Sequence, residues 1–209
     1  MLLVSRPLLT KFLHEKTIPV QNRNSGFTLI ELVVVIVILG ALSSFALPRL
    51  ADLSDDATQA LLVNFKGLIG SAASITHTEV MLNAQNRSNN NSRYNFDNGD
   101  QIRIRADYPD GRWNNTFAIL LDMTSFDIVQ VGTNNCNNND WCVRQRGPNW
   151  FINRGYTSST AGRGFVIFPN GFNVNSQNCH AYYFTPNSTA QPAIPMAPIT
   201  GINTSGCST

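Results

Sequence analysis

The sequence is short of charge. Only 13% of its 209 residues are Asp, Glu, Lys or Arg, about half the usual share. Fifteen basic residues face 13 acidic ones, a formal net charge of +2. That balance excludes a polybasic nucleic-acid binder, whose affinity rests on many phosphate contacts. It equally excludes an acidic disordered tail. Histidine is scarce, and His14, His77 and His180 stand too far apart to reach metal-ligand spacing. The four cysteines include no Cys-x-x-Cys, so zinc is not expected. Cys179 and His180 are adjacent, but neighbours on a strand point to opposite faces, which excludes them as nucleophile and base. No other catalytic constellation and no internal repeat is present, so neither an enzyme nor a cofactor is expected. The polar surface is built instead from amides, hydroxyls and glycines, with asparagine conspicuous from Asn83 onward.

The charge that exists is unevenly placed. Residues 1–26 carry Arg6, Lys11, Lys16 and Arg23 against Glu15, and without them 11 basic and 12 acidic residues remain, a net charge of −1 on 183 residues. The run Phe27 to Leu47 (FTLIELVVVIVILGALSSFAL) is 21 residues long with a single charge, Glu31. As a helix it spans about 31 Å, the thickness of a bilayer's hydrocarbon core. Positive segment, apolar helix and polar remainder together predict a chain anchored once, its start in the cytoplasm and its bulk translocated. A cleaved secretory signal has a core of only about 7 to 15 residues, although Ala41-Leu42-Ser43 and Ser44-Phe45-Ala46 mimic its cut site. A plain signal anchor leaves Glu31 unexplained, since a carboxylate in hydrocarbon costs on the order of 2.5 kcal/mol unless paired or near the interface. The simplest alternative places Glu31 near the interface in the first helical turn, where the helix dipole favours it.

The segment Ser25-Gly26-Phe27-Thr28-Leu29-Ile30-Glu31, the run GFTLIELVVVIVILGAL and Pro48 beyond it resemble the prepilin motif of the type IV pilin family. The resemblance implies cleavage by prepilin peptidase between Gly26 and Phe27, then N-methylation of Phe27. It also implies that Glu31 of an incoming subunit pairs with the terminal amine of a neighbour in the filament. A buried carboxylate that gains its cation only on assembly is a register device, and Gly26 offers the peptidase an unhindered backbone. The expected domains are a leader, 1–26; a transmembrane and polymerisation helix, 27–47; its amphipathic continuation, 48–82; and a globular β-rich head, 83–209. A 26-residue leader with an apolar patch at Leu8, Leu9, Phe12 and Leu13 is long for that family. A start at Val20 gives a shorter one and the same mature chain.

Within that family, LPRLADLSDDA after the apolar run, Tyr108-Pro109 and Cys179-His180-Ala181-Tyr182-Tyr183 resemble segments of the mannose-sensitive haemagglutinin (MSHA) group. This implies a pilus subunit serving attachment, partnered by other pilin subunits, prepilin peptidase and, before assembly, the inner membrane of a Gram-negative bacterium. The pseudopilin of the type II secretion system is the alternative. A membrane-anchored module binding sugar or DNA is a third reading.

Beyond Pro48, Leu50, Leu53, Ala57, Leu61, Phe65, Leu68, Ala72 and Ile75 recur at three- or four-residue intervals, which predicts an apolar helical stripe facing the core. Asp52, Asp55, Asp56, Gln59, Lys66 and Thr76 mark the opposite face. The helix is expected from Phe27 to Met81 or Leu82 with a kink at Pro48, and a loop from Asn83 to Asn98. Strands are expected at Gln101–Ala106, Gly164–Phe168 and Cys179–Phe184, short buried elements at Phe117–Leu121 and Asp127–Val131. Tyr108-Pro109-Asp110-Gly111 reads as a turn, Pro169-Asn170-Gly171 as hairpin chemistry, and Pro186 to Pro198 as irregular chain. The fold class is therefore α+β: a long helix packed on a small antiparallel sheet, with a disulfide-stapled C-terminal region.

Cys136, Cys142, Cys179 and Cys207 all lie in the translocated part, where disulfides form. Three pairings are open. The preferred one joins Cys136 to Cys142 around an asparagine loop with Trp141, and Cys179 to Cys207, stapling the Pro-rich tail to a strand. Asp140 beside Asn137 to Asn139 offers oxygens for calcium but no dense carboxylate set, so no metal is expected. Arg144, Arg146, Arg154 and Arg163, interleaved with Trp141, Trp150 and Phe151, form the stretch suited to an anion or a sugar. Arg144, Arg146, Trp141 and Trp150 are its candidate rim, for a surface glycan or DNA. The competing reading is core aromatics with a solvated or subunit-contacting basic edge.

Overall fold

A long helix, α1 (Leu29–Leu82), carries two apolar stripes, and only one of them faces the core. The computed structural model describes residues 26–88, 92–123, 126, 128–129, 135–136, 139–187 and 197–208, with backbone alone at 46–48 and 50–52. The leader up to Ser25 therefore lies outside the described residues, as does any side chain at the expected Pro48 kink. The chain divides into two compact units, Met1–Phe45 and Ala46–Thr209. In the first, every described side chain from Gly26 to Phe45 is exposed. Among the described residues no helix is long and apolar enough to cross a membrane. Of the 27–47 run, Ala46 and Leu47 have no described side chains.

In the second unit, Leu62, Phe65, Ile69, Ala73, Thr76 and Val80 are buried, at steps of three and four residues. Phe65 belongs to both this stripe and the one expected from the sequence, and elsewhere the expected stripe is displaced by one residue. Leu53, Leu61, Leu68 and Ile75 are exposed, Ile75 by 69%, and Thr76, expected on the polar face, is buried. Both stripes obey the helical period, so periodicity alone could not choose between them.

Seven strands follow: β1 (Arg93–Asn95), β2 (Gln101–Arg105), β3 (Tyr108–Pro109), β4 (Trp141–Arg146), β5 (Gly162–Pro169), β6 (His180–Pro186) and β7 (Ile199–Asn203). Two short helices, α2 (Ala118–Leu120), led by a π-helical turn at Trp113–Phe117, and α3 (Pro148–Ile152), complete the second unit with a 3-10 turn at Ala84–Asn86. They build two antiparallel sheets, β1-β2-β3 and β4-β5-β6-β7. The fold is α+β, a helix on antiparallel sheet with two disulfides in the C-terminal region, Cys136–Cys142 and Cys179–Cys207.

The four-stranded sheet is covered on both faces, which is why β5 and β6 read as unbroken apolar runs. Val143, Phe165, Ile167, Ala181 and Tyr183 join Leu62, Phe65 and Ile69 of α1 in one core. There Trp113 and Phe117 pack on Phe165 at 5.0 and 4.9 Å. On the reverse face Cys142, Val166, Phe168, Tyr182 and Phe184 meet Phe151 of α3. Val80, Tyr94, Ile102 and Ile104 form a third core between α1 and the smaller sheet.

Three expectations need correction. Tyr94 in β1 is fully buried and its hydroxyl donates to Glu79 at 2.9 Å, so 83–98 is more than a loop. Tyr108 and Pro109 pair with Arg105 and Ile104 as a strand. The turn precedes them at Ala106 and Asp107, both with positive φ (48° and 66°), the two-residue hairpin geometry that Asn-Gly usually signals. An ion pair from Arg87 to Asp107 at 2.8 Å ties that turn down. Finally, β5 and β6 are joined by ten residues, Asn170 to Cys179, rather than by a tight hairpin turn.

Candidate functional site

Gly26, Phe27 and Thr28 precede α1 in no regular structure. A Cβ built on Gly26 would meet nothing within 4 Å, and Phe27 is 92% exposed. The peptide bond between them is thus open, on chain without regular structure just ahead of a helix. That helix is capped reciprocally. The Thr28 backbone N–H and hydroxyl both donate to Glu31 Oε2 at 2.8 Å, and the Glu31 N–H donates to Thr28 Oγ1 at 3.3 Å. This capping box satisfies donors that a helix start leaves orphaned. The signal for it, Thr-x-x-Glu before an apolar run, is present in the sequence. Both bonds fall on Oε2, which leaves Oε1 for another donor.

The second candidate region lies on the sheet face turned away from α1. Strand alternation puts Arg144 and Arg146 on that face with Cys142, and Trp141 on the other, where its ring packs 5.0 Å from Phe65. Trp141 therefore leaves the expected rim. Trp150 stays, brought up by α3, with the Arg154 guanidinium 3.9 Å and the Arg146 guanidinium 5.5 Å from its ring centre. Arg163 is exposed at the start of β5. Arg154, Tyr156 and His180 join the cluster. The ring of His180 sits 5.3 Å from Trp150, its Nε2 lies 3.0 Å from the Tyr156 hydroxyl, and Tyr156 stacks on Tyr182 at 4.1 Å.

Arg144 is the most enclosed of these, 1% exposed, with its guanidinium 5.3 Å from the Phe168 ring centre. Burial lowers its pKa. Burial first, then the neighbouring Arg144 and Arg154 cations, pull Arg146 down to about 10. Burial and Arg154 hold the His180 imidazole down to about 4, so the ring is neutral at pH 7.

Cys136–Cys142 closes the loop that Asn170 organises, its side chain accepting from the Cys136 N–H and donating to the Cys136 and Asn139 carbonyls. Cys179–Cys207 ties the approach to β6 to the chain beyond β7. Asn137 and Asn138 of the weighed calcium loop lie outside the described residues. Among the described residues no group of three or more metal-capable side chains occurs.

Residues 21–47 match the family profile described as the prokaryotic N-terminal methylation motif. Over 38 residues the chain is 60% identical to the type IV narrow pilus major component PilA5 of Thermus thermophilus, covering 18% of this chain and 33% of that protein. The chain thus matches about a third of that curated relative's length. No solved structure matches. The motif and the pilin relative together support the type IV pilin family.

Proposed function

We propose that this chain is a prepilin: a structural subunit cut after Gly26, N-methylated on Phe27 and polymerised into a type IV pilus through its N-terminal helix. One observation carries the reading. An open Gly26–Phe27 bond stands directly before a capped helix whose apolar side chains, from Leu29 to Phe45, are all exposed. Such a surface has no partner among the described residues of its own chain, and burying it favours either lipid or other copies. The exposed stripe of Leu61, Leu68, Ile75 and Leu82, one residue every seven, extends the same demand into the second unit.

Glu31 fits the two-partner role. In the single chain Thr28 satisfies it; in a filament the methylated amine of a neighbour's Phe27 would add a charge-assisted bond at the same carboxylate. The 27–47 helix holds the subunit in the inner membrane before assembly. The pilus is of MSHA type and serves attachment.

Mass spectrometry of the mature protein tests the proposal. The expected product begins at N-methylated Phe27, and an intact leader overturns the reading. Gly26→Ala should block processing, while Glu31→Ala should process normally yet fail to enter filaments. Surface filaments containing the chain distinguish a pilus from a type II pseudopilin, whose polymer stays within the envelope.

A further inference from the structure

Among the described residues, no acidic side chain pairs with the arginine cluster on the reverse face of the four-stranded sheet. The ion pairs among the described residues are Arg87–Asp107, Arg105–Asp110 and Arg112–Asp110, none of which involves Arg144, Arg146 or Arg154. The hydrogen bonds these arginines make go to neutral oxygens: Arg146 Nη2 to Asn175 Oδ1 at 2.8 Å, and Arg154 Nη2 to the Val174 and Asn175 carbonyls at 2.9 and 3.0 Å. All three guanidinium nitrogens of Arg144 are buried without a hydrogen-bond partner, as are Arg146 Nε, Arg154 Nε, Trp150 Nε1 and His180 Nδ1. Buried donors and buried cations are rare unless something satisfies them.

Aromatic rings hold the guanidinium groups in place: Phe168 faces Arg144, and Trp150 faces both Arg146 and Arg154. The groups form a series of repelling neighbours, since Arg144 and Arg154 each disfavour the charge on Arg146 and Arg154 disfavours a charge on His180. Arg146 and Arg154 are half-buried and give the cluster an edge to solvent, while Arg144 is its enclosed member.

We propose that Arg144, Arg146 and Arg154, with Trp150 beside them, form a binding site for a compact oxyanion, the group shared by a free sulfate or phosphate and by the carboxylate of an acidic sugar. Planar guanidinium edges match two oxygens of such a group at once. The neutral His180 does not repel it, and the Trp150 ring offers a face for a sugar ring attached to it. The residues of the site all belong to the second unit, and its existence does not depend on the pilin reading.

The test uses the detergent-solubilised full chain at constant ionic strength, with sodium sulfate, sodium glucuronate and neutral glucose each titrated against a chloride background. Tryptophan fluorescence and the thermal midpoint are followed together. Saturable binding of sulfate, or of glucuronate but not glucose, is expected, and whichever anion binds more tightly identifies the source. Arg146→Gln and Arg154→Gln, both at the half-buried edge, should each weaken binding at least tenfold, with the anion-free thermal midpoint showing that the variant is folded. Arg146→Lys should recover only part, because an ammonium cannot present two parallel donors. Trp150→Phe should remove the fluorescence response while leaving the thermal shift with sulfate. No saturable response to either anion overturns the proposal. So does binding that Arg146→Gln and Arg154→Gln leave unchanged.

Discussion

Neighbouring residues Leu68 and Ile69 of α1 make opposite predictions when cut to alanine. Ile69 is 0% exposed among Phe65, Ala73 and the sheet residues, whereas Leu68 is 47% exposed on the outer stripe. Truncating Ile69 removes three buried carbons, about 2.4 kcal/mol of transfer free energy. The cavity left behind a rigid sheet raises the cost to about 3–4 kcal/mol. In a chain of this size that lowers the thermal midpoint by about 10 °C. Leu68→Ala loses only partial burial and gains a few tenths of a kcal/mol in helix propensity, so its cost stays below about 1 kcal/mol. Near-UV circular dichroism of the detergent-solubilised chain, with buried Trp113 as a reporter of the core, measures both midpoints. Sedimentation adds the second readout: Leu68→Ala should weaken self-association at unchanged fold, and Ile69→Ala should not. Equal destabilisation by the two variants, or a larger loss from Leu68→Ala, refutes the assignment of the inner and outer stripes.

The two disulfides differ in loop length, with separations of 28 and 6 residues. Chain entropy then gives about 3.5 kcal/mol for Cys179–Cys207 and about 2 for Cys136–Cys142. Urea midpoints of the paired serine variants should fall in that order, and the reverse order contradicts it. Because His180 is held neutral down to about 4, the unfolded chain takes up its proton first as pH falls. The stability tied to the neutral ring is complete above about 6.5 and is lost toward pH 4, by at most about 3 kcal/mol. His180→Gln should flatten that part of the stability curve relative to the parent, and an unchanged slope counts against it. Gly164→Ala would place a Cβ 2.5 Å from the Phe151 ring and from the Tyr183 carbonyl, so soluble yield and thermal midpoint should fall sharply. Gly147→Ala, with nothing within 4 Å, should leave both close to the parent.

Much of the fold was legible because its strongest patterns are local. The apolar run, the amphipathic continuation and the β-branched and aromatic strands β5 and β6 each announce themselves within a dozen residues. What escaped is held by contacts distant in sequence. Arg93-Tyr94-Asn95 has one apolar residue and becomes a strand because Tyr94 reaches Glu79 and enters the core made by Val80 and Ile102. Ala106-Asp107 lacks the Asn-Gly signature of its turn. Arg87 and His77, which flank it from elsewhere in the chain, hold the turn through the Asp107 side chain and carbonyl. Pro109 looks like a breaker, yet its carbonyl accepts from Tyr183 and Thr185 hydroxyls at 2.7 and 2.8 Å and ties the small sheet to the large one.

The candidate sites divide along the same line. Gly26, Phe27 and Glu31 form a motif whose chemistry depends on neighbours in sequence, so the linear text carries it whole. The arginine cluster depends on parity. Once 141–146 is known to be a strand, Arg144 and Arg146 share a face and Trp141 cannot. Interleaving of arginine and aromatic residues alone groups all four. Arg154 belongs to the stretch by spacing but joins the rim only because α3 turns it there, and His180 could not be assigned from spacing at all, because the β5–β6 connection decides its approach. Three arginines within eleven residues mark a basic patch in any sequence. Only folding shows that one of them, Arg144, is buried with no hydrogen-bond partner among the described residues, and that is what turns a patch of charge into a site that an anion would complete.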